Sequence, residues 1–538
     1  MRRCGSSRRR LLSPDLRNTI IIGAGHNALA TAFYLAKAGR QPLVLERRPT
    51  VGGCAITEAF APGYRTATLA HAIGPIRSDI VRDMDLERRG VRFVAPDPAL
   101  TAIALDGPPL ALSRDVTRTV AAIRAISAKD ADRYPGFVAT LQRAAHFVGR
   151  LLDAPPPALD GAAAAELWQL LKTGRRFRAL GKQTSFTLLR WGPMAVADLV
   201  GESFEHDRLQ AAIAARGIFG AAMGPWSAGT GALLLLGAAV DPMPGGSSIT
   251  VAGGPGALTK AMADAAREAG AEIRTSAGVQ RILVKNEAVA GVLLDDGRDL
   301  PADNVVSGAD PRRTFLQLVD PNDLDPTFSG RIRNYRSTGT VAKLNIALGG
   351  VPAFRGLDTS MAPAGRLHIG PGIDYLERAF DASKYGEISD APYLDIAFPS
   401  ATDASMAPTG RHVMSVHMQY APYRLRGGRS WELSRHDLRE IVFRTLEQYA
   451  PGFTSLVEHC QVITPLDLER EYGLTGGHIF HGELALDQLF IVRPTLGWAR
   501  YATPIRGLFL CGSGTHPGNG LTGASGRNAA RAILTNPR

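Results

Sequence analysis

The sequence predicts an α/β fold in which a Rossmann-type domain is interleaved with an α+β domain made of an antiparallel sheet and a helical cap. Two stretches carry this prediction. Residues 18–53 and residues 507–534 each combine a short apolar strand, a glycine-rich loop and a helical pattern. A chain of 538 residues can bury a large core, so we expect two domains or two interleaved ones.

Composition is that of a globular protein, with 45% hydrophobic and 21% charged residues and a net charge of +11. Residues 1–17 hold six arginines against one acid and are predicted to form a disordered basic tail. They lack the apolar core of a secretory signal, and a weak organelle-targeting segment is the alternative. We therefore expect a cytoplasmic protein, with membrane association as a second possibility. The positive charge of the rest of the chain suits anionic cofactors or acidic membranes. Because the sequence shows no nucleic-acid-binding motif, we expect no nucleic acid partner.

The four cysteines, Cys4, Cys54, Cys460 and Cys511, are widely spaced. They form no C-x-x-C pair and no metal-ligand pattern, so neither a metal site nor a disulfide framework is expected. We therefore expect the protein to occur in a reducing compartment. The absence of a redox-active cysteine pair also argues against a disulfide reductase.

The first stretch has the spacing of a dinucleotide site. Gly23 allows a tight turn after an apolar strand, Gly25 leaves room for a pyrophosphate, and Ala28 lets helix and strand pack closely. The helix that starts near Asn27 would direct its positive end at the phosphates. Glu46 ends the second strand, where a carboxylate can accept both ribose hydroxyls.

A glycine doublet, Gly52-Gly53, follows six residues after Glu46 and would bring the backbone close to the cofactor a second time. Arg48 can neutralise a phosphate there. Nicotinamide domains rarely need this doublet, whereas it resembles that of glutathione-reductase-like flavoproteins, which favours FAD. The alternative is a surface Gly-Gly turn.

The sequence in the middle of the chain predicts an inserted helical cap. Residues 91–113 alternate short strands with turns, and residues 115–215 are mainly helical. Residues 217–240 contain no charge and are long enough for a membrane span, but six glycines and Pro225 interrupt them. We predict the buried lining of an apolar pocket, which could hold a long chain without a charged anchor. Its candidate residues are Phe219, Met223 and Trp226, for which plain core packing is the alternative.

The chain then returns to the nucleotide domain. Strands are predicted at residues 273–274, 279–284, 289–294 and 304–307, and Val279 lies where a backbone group can contact the adenine edge. Residues 341–418 alternate as in an antiparallel sheet. Lys343 interrupts one of these strands and could bind the flavin through a water or extend outward as a structural residue.

The last strong signal is residues 507–534. Gly512 and Gly520 belong to a loop between a strand and a helix, which repeats the anion-binding arrangement of the first stretch. The dipole of that helix could stabilise negative charge near N1 and O2 of a reduced flavin.

From residue 18 to residue 534 the chain resembles the carotenoid (phytoene) desaturase-like FAD oxidoreductases. The resemblance is carried by residues 22–27, 447–453, 475–481 and 510–518. It implies a glutathione-reductase-like FAD domain in three pieces, a substrate domain between them, and dehydrogenation or related chemistry on apolar substrates. The implied boundaries are 18–90, 245–310 and 481–538 for the FAD domain, and 91–244 and 311–480 for the substrate domain.

The resemblance and the motifs together define one set of cofactor-binding candidates. They are Gly23, Ala24, Gly25, His26, Asn27, Ala28, Glu46, Arg48, Gly52, Gly53, Val279, Gly512, Ser513, Gly520, Leu521 and Thr522. Two positions depart from related proteins. Cys54 stands where amine oxidases usually have an arginine, and Ser513 stands where many flavoproteins have an aspartate beside the ribityl chain.

The expected function is oxidation of C–C bonds in an isoprenoid, polyene or fatty-acyl substrate, with the flavin as hydride acceptor. His481 and Lys343 are the catalytic candidates, and a structural role is the alternative for each. An FAD amine oxidase, disfavoured by Cys54, and a flavin-binding interaction protein remain open. Only one nucleotide fingerprint is visible, so we expect oxygen or a membrane quinone, rather than a nicotinamide, as the redox partner.

Overall fold

The structure is a computed structural model that describes residues 17–157, 164–518 and 520–535. The predicted basic tail, apart from Arg17, lies outside the described residues.

The strands follow one another as β1 (Arg17–Ile22), β2 (Leu43–Leu45), β3 (Thr57–Ala61), β4 (Tyr64–Ala67), β5 (Phe93–Val94), β6 (Leu100–Ala102), β7 (Leu110–Leu112), β8 (Thr250–Val251), β9 (Glu272–Arg274), β10 (Val279–Lys285), β11 (Ala288–Leu294), β12 (Asp299–Ser307), β13 (Val341–Leu348), β14 (Arg366–Ile369), β15 (Tyr393–Ala397), β16 (His412–Gln419), β17 (Val457–Ile463) and β18 (Leu508–Leu510).

The α-helices are α1 (His26–Lys37), α2 (Ser78–Asp83), α3 (Val116–Arg124), α4 (Ala128–Leu152), α5 (Ala164–Ala179), α6 (Gly181–Trp191), α7 (Val196–Ser203), α8 (Asp207–Ile218), α9 (Thr230–Val240), α10 (Gly254–Glu268), α11 (Pro311–Arg313), α12 (Pro326–Arg333), α13 (Ile373–Lys384), α14 (Pro399–Thr402), α15 (Trp431–Tyr449), α16 (Pro465–Tyr472) and α17 (Ala524–Thr535).

The first sheet is the nucleotide-binding sheet, with strand order β10-β11-β12-β1-β2-β9 and β18 beside β12. Strands β9, β2, β1, β12 and β18 run parallel, and β10 and β11 add an antiparallel extension. The apolar run of β1 is buried on both faces, as parallel strands usually are. Helices α1, α10 and α17 contribute to the core on one face. The sheet therefore joins both ends of the chain, since β1 comes first and β18 last.

The second sheet has the order β17-β13-β16-β15-β14-β6-β7 and is antiparallel except where β14 meets β6. Alternate residues of β13, including Leu344 and Ile346, pack in one core with α15 on one face. The residues between them, including Lys343, occupy the opposite face. That face also carries residues that line the cavity described below.

Helices α3, α4 and α6 to α9 form a cap around a separate apolar core, and α5 contributes none of its described residues to that core. The uncharged stretch that the sequence singles out divides into the end of α8, a loop and the eleven-residue helix α9. Gly231 in α9 is required by packing, because a Cβ atom there would lie 2.1 Å from the carbonyl oxygen of Trp191. Within the described ranges, no helix combines the length and apolar character needed to cross a bilayer.

Candidate functional site

A cavity of about 420 Å³ extends from the nucleotide loop to the second sheet and the cap. One end is lined by the β1–α1 loop, the glycine doublet and Val279. The other end is lined by β14, β15, β16 and the facing sides of α8 and α9. Such a volume is typical of small-molecule sites.

Glu46 closes the β1–α1 loop from the end of β2. Its Oε2 accepts a hydrogen bond from the Ala24 amide at 2.7 Å, and its Oε1 accepts one from the Arg48 amide at 2.9 Å. Each carboxylate oxygen keeps a second lone pair. The buried carboxylate can thus hold the loop and still accept ribose hydroxyls.

The glycine doublet packs directly on this loop. The Gly52 amide donates to the Ala24 carbonyl at 2.8 Å, and a Cβ atom at Gly53 would lie 3.3 Å from the Gly25 Cα. A Cβ atom at Gly52 would lie 2.7 Å from the Thr259 hydroxyl. Close packing of protein on protein, in addition to any approach of a cofactor, therefore requires glycine at both positions.

Arg48 provides a partly paired cation at the cavity wall. One terminal nitrogen, Nη2, lies 2.6 Å from Glu58, and the guanidinium lies 4.8 Å from the centre of the Tyr472 ring. The other terminal nitrogen, Nη1, is buried and has no hydrogen-bond partner among the described residues. An unpartnered buried donor is costly, and a phosphate oxygen would satisfy it.

The C-terminal loop meets the N-terminal loop at Ser513. The Asn27 side-chain amide donates to the Ser513 hydroxyl at 3.2 Å, so the serine that replaces the expected aspartate has a protein partner. Gly526 in α17 also packs tightly on Asn27, because a Cβ atom there would lie 1.9 Å from the Asn27 carbonyl oxygen. The two glycine-rich loops thus form one continuous wall.

Most cofactor candidates line this cavity: Gly23, Gly25, His26, Asn27, Ala28, Glu46, Arg48, Gly52, Gly53, Val279, Gly512, Ser513, Gly520 and Leu521. Two do not. Ala24 contributes its amide to Glu46, and the Thr522 hydroxyl accepts the Ala524 amide at the start of α17. The unpartnered Arg48 nitrogen and the open space beside Gly25 fit an FAD diphosphate, and Glu46 fits its ribose.

His481 lies on the cavity wall, with its Nδ1 buried and without a partner among the described residues. Burial lowers the pKa of its imidazole, and nearby Arg493 lowers it further, while Asp310 acts in the opposite direction. At neutral pH this nitrogen is available as a hydrogen-bond acceptor if the proton resides on Nε2.

Lys343 belongs to a polar row across the second sheet. The strand register places Lys343 opposite His417, His417 opposite Asp395, and Asp395 opposite His368. Residues directly opposite one another share a face. The Lys343 side chain is fully buried and does not line the cavity, whereas His417, Asp395 and His368 do.

His71 connects the members of this row. Its Nδ1 lies 3.0 Å from the Lys343 Nζ, and its Nε2 lies 3.1 Å from the Asp395 Oδ1. Burial and the nearby Lys343 lower the pKa of His71 to about 4, and burial lowers the pKa of Lys343 well below its usual range. Although burial alone would raise the pKa of Asp395, Arg366 and His71 lower it to about 2.

The pocket candidates divide between the cavity and the surface. Phe219 lines the cavity, with its ring centre 5.3 Å from that of His417. Met223 and Trp226 do not line it. Met223 packs beside Leu233 and Leu236, and Trp226 is 51% exposed because the chain after α8 turns outward before α9 begins.

The cavity also corrects the expectation of a pocket without a charged anchor. Arg216 from α8 and Arg366 from β14 both line it, together with Asp241 and Asp395. Sequence reasoning missed these residues and His71, His368 and His417. Asp395 and His417 each interrupt an otherwise apolar strand sequence, and this pattern could have marked them as candidates. A single polar residue in a strand does not, however, reveal which residues lie next to it on the neighbouring strands.

Comparison with known proteins identifies relatives of this chain. The family described as flavin containing amine oxidoreductase matches residues 29–534. A rat protein named pyridine nucleotide-disulfide oxidoreductase domain-containing protein 2 is 35% identical, covering 97% of this chain and 94% of the relative. The neurosporene-forming phytoene desaturase of Rhodobacter capsulatus is 25% identical over 96% and 94%. Among solved structures, cyclohexylamine oxidase from Brevibacterium oxydans has a TM-score of 0.56 at 15% identity, covering 97% of this chain and 99% of its own.

Proposed function

This chain belongs to the family of flavin-containing amine oxidoreductases and is an FAD-dependent oxidoreductase, and from that premise we propose that it oxidises C–C bonds of an apolar isoprenoid, polyene or fatty-acyl substrate. One observation carries the proposal. The cavity that begins at the nucleotide loop continues without interruption along an apolar wall made by Phe219, Leu233 and Leu236. Cofactor and hydrocarbon can therefore meet in one cavity.

Different residues of the chain would hold the cofactor and the substrate. Glu46 and Arg48 would hold the ribose and diphosphate, and the loop around Gly512 and Gly520 would hold the flavin end. When bound, FAD supplies a hydride acceptor. The apolar wall orients the hydrocarbon and excludes water. Hydride transfer depends more on these two effects than on a strong side-chain base.

His481 and Lys343 have different parts in this proposal. His481 can accept or return a proton at Nδ1, because this atom is buried beside the cavity and has no partner among the described residues. Lys343 acts as a positioning residue through His71, since its own side chain does not reach the cavity wall.

Oxidation of an amine is the second candidate, because of the family and the fold of cyclohexylamine oxidase. Against it, Arg216 and Arg366 line the cavity and would repel an ammonium group. Asp395, a carboxylate in the same wall, is already paired with Arg366 and His71. Cys54 also replaces the arginine usual in amine oxidases.

The test is anaerobic mixing of the FAD-loaded enzyme with a panel of isoprenoids, polyenes and fatty-acyl compounds, each as the uncharged lipid and as the carboxylic acid, and with alkylamines of matched length. We expect one of these lipids to bleach the flavin absorbance. Bleaching by amines alone would establish the second candidate. No bleaching by any member would favour a flavin-binding protein without turnover.

We further propose oxygen or a membrane quinone as electron acceptor. Strands β1, β2, β9, β12 and β18 form one parallel sheet with one nucleotide loop, and no second nucleotide-binding fingerprint follows a strand in the sequence. NADH and NADPH should therefore reduce the flavin slowly. Rapid reduction by micromolar nucleotide in a stopped-flow experiment would contradict this.

We also propose peripheral contact with anionic membranes through a surface on α5 and α6, here called the hairpin patch. Its exposed apolar side chains are Leu167, Trp168, Leu170, Leu171, Phe186 and Leu189. Its exposed cations are Lys172, Arg175, Arg176, Arg178, Lys182 and Arg190. Apolar side chains next to a cluster of cations are typical of interfacial helices, and a second copy of so basic a surface would be repelled.

Vesicle flotation tests the hairpin patch. We expect the protein to float with vesicles that contain phosphatidylserine and less with phosphatidylcholine alone. The Trp168→Ser, Phe186→Ser double variant should lose flotation, and Trp226→Ser, which changes an exposed tryptophan elsewhere, should retain it. Equal flotation of both variants would refute this location.

A further inference from the structure

One part of the cavity wall carries a group of charged side chains. The partly buried Arg216 and Arg366 line it together with the buried Asp241 and Asp395, and we call these four residues the arginine end. Apolar side chains line the same cavity, including Leu100, Leu233 and Leu236. The cavity therefore combines an apolar wall with one charged region.

The partners of Arg366 leave part of its guanidinium unused. Its Nη1 donates to the Asp395 carboxylate and its Nη2 to the Gly245 carbonyl. Its Nε is buried and has no hydrogen-bond partner among the described residues. The arginine side chain is 12% exposed, so water reaches it poorly and the unused donor is costly.

Arg216 is satisfied by neutral acceptors. Its two terminal nitrogens donate to the carbonyls of Met243, Gly237 and Asp241. The carboxylate of Asp241 is instead paired with Arg114 at 2.9 Å. Among the described residues, the positive charge of Arg216 therefore has no directly bonded carboxylate.

The local charges do not cancel. Arg114, Arg216 and Arg366 face the two carboxylates Asp241 and Asp395, which leaves one positive charge in excess. Burial lowers the pKa of His368 to about 4, so this neighbour is neutral at pH 7 and adds no charge. Burying an excess cation is expensive unless an anion arrives to pair with it.

We propose that the arginine end binds the carboxylate of the substrate, so that the substrate is an amphipathic acid whose hydrocarbon part lies along α8 and α9. This rests on the proposed function and names the substrate class within it. A planar guanidinium with a free donor is the group best suited to a carboxylate. The apolar wall then holds the tail, with a contribution of about 25 cal/mol per Å² buried.

The test is calorimetric titration of the FAD-loaded enzyme with dodecanoate and with dodecanol at about pH 7.5, where the acid is ionised. The two probes share a tail and differ in the head group. We expect dodecanoate to bind at least about ten times more tightly than dodecanol. Arg366→Met should abolish this preference for the acid over the alcohol, and Arg366→Lys should restore part of it.

Arg411→Met is the matched control, because Arg411 pairs with Glu458 on the same sheet and does not line the cavity. If Arg366→Met alone fails to fold, the double variant Arg366→Met, Asp395→Leu removes the charge left behind. It should show the same loss of acid preference. Equal binding of acid and alcohol by the wild type, binding of neither, or an unchanged preference after loss of Arg366 would each overturn the proposal.

The same samples separate this inference from the function on which it rests. Flavin bleaching by an uncharged lipid, without any preference for acids, would leave the function standing and remove the arginine end as a head-group site. Tight, Arg366-dependent binding of the acid with no bleaching by any lipid of the panel would support the arginine end as a head-group site and contradict the proposed function.

Discussion

Gly25 occupies the centre of the phosphate loop, yet a Cβ atom at this position would meet no protein atom within 4 Å. The backbone there is extended, with φ −69° and ψ 164°, so a larger residue causes no backbone strain. A side chain at this position would project into open space beside the cavity wall. We therefore expect this glycine to be required for cofactor binding and not for the fold.

Gly25→Val should consequently leave a folded protein that has lost its flavin. We expect FAD affinity to fall at least about 100-fold, which corresponds to about 2.7 kcal/mol. The measurement is the ratio of flavin to protein absorbance after gel filtration. Gly201→Val is the control, since that exposed glycine in α7 also has nothing within 4 Å but lies away from the cavity. Full flavin occupancy in Gly25→Val would mean that the diphosphate lies elsewhere.

At the scale of elements, the wall formed by α8 and α9 determines what can lie beside the flavin. Helix α9 is buried over most of its length, and Leu233, Leu236 and Val240 contribute directly to the cavity. Phe219, which follows α8, contacts both His417 and Phe480 across the space. In the proposed function, substrate selection therefore depends on elements that contribute nothing to the nucleotide loop.

A charge introduced at Phe219 should impair turnover more than FAD binding. For Phe219→Asp we expect kcat/KM for the best lipid of the panel to fall at least about tenfold, because a carboxylate must be desolvated against hydrocarbon. Flavin content should remain near that of the wild type. Trp226→Ala is the control, since this exposed tryptophan does not line the cavity. Unchanged turnover in a folded Phe219→Asp enzyme would remove α8 and α9 from the substrate path.

The elements differ in how much of them the sequence could predict. The loops at Gly25 and Gly512 are local patterns, and their strands and helices lie close to the expected positions. The polar row was not predictable, because it requires the register of four strands from distant parts of the chain. Trp226 was misplaced for a related reason, since composition alone does not give the direction in which the chain turns after α8.

At the scale of the whole molecule, buried histidines make the protein sensitive to acid. Burial lowers the pKa of His26, His71, His368 and His516 to about 4, and that of His478 to about 3. In the unfolded chain each would titrate near about 6.5. Below that pH the unfolded state binds more protons than the folded state, so acid favours unfolding.

We expect the free energy of unfolding to be highest above about pH 6.5 and to fall steadily towards pH 4. Each of these five histidines contributes about 3 kcal/mol to the loss by pH 4, and together they reach the upper end of the usual stability of about 5–15 kcal/mol. Thermal melts between about pH 8 and pH 4 measure this. His368→Gln should flatten the pH dependence, because it removes one of these buried imidazoles. A melting temperature that is constant down to about pH 5 would contradict the expectation.

The nucleotide-binding sheet places β18 beside β12, and α17 packs on α1, with the Thr31 hydroxyl donating to the Gly526 carbonyl at 3.0 Å. A ribosome makes the residues of α1 long before those of α17. Until α17 has been made, the apolar side of α1 that α17 covers stays open, and the part of the cavity lined by Gly512 and Gly520 is not yet assembled. We therefore expect cofactor loading to follow the synthesis of α17, and nascent chains that still lack α17 to depend on chaperones.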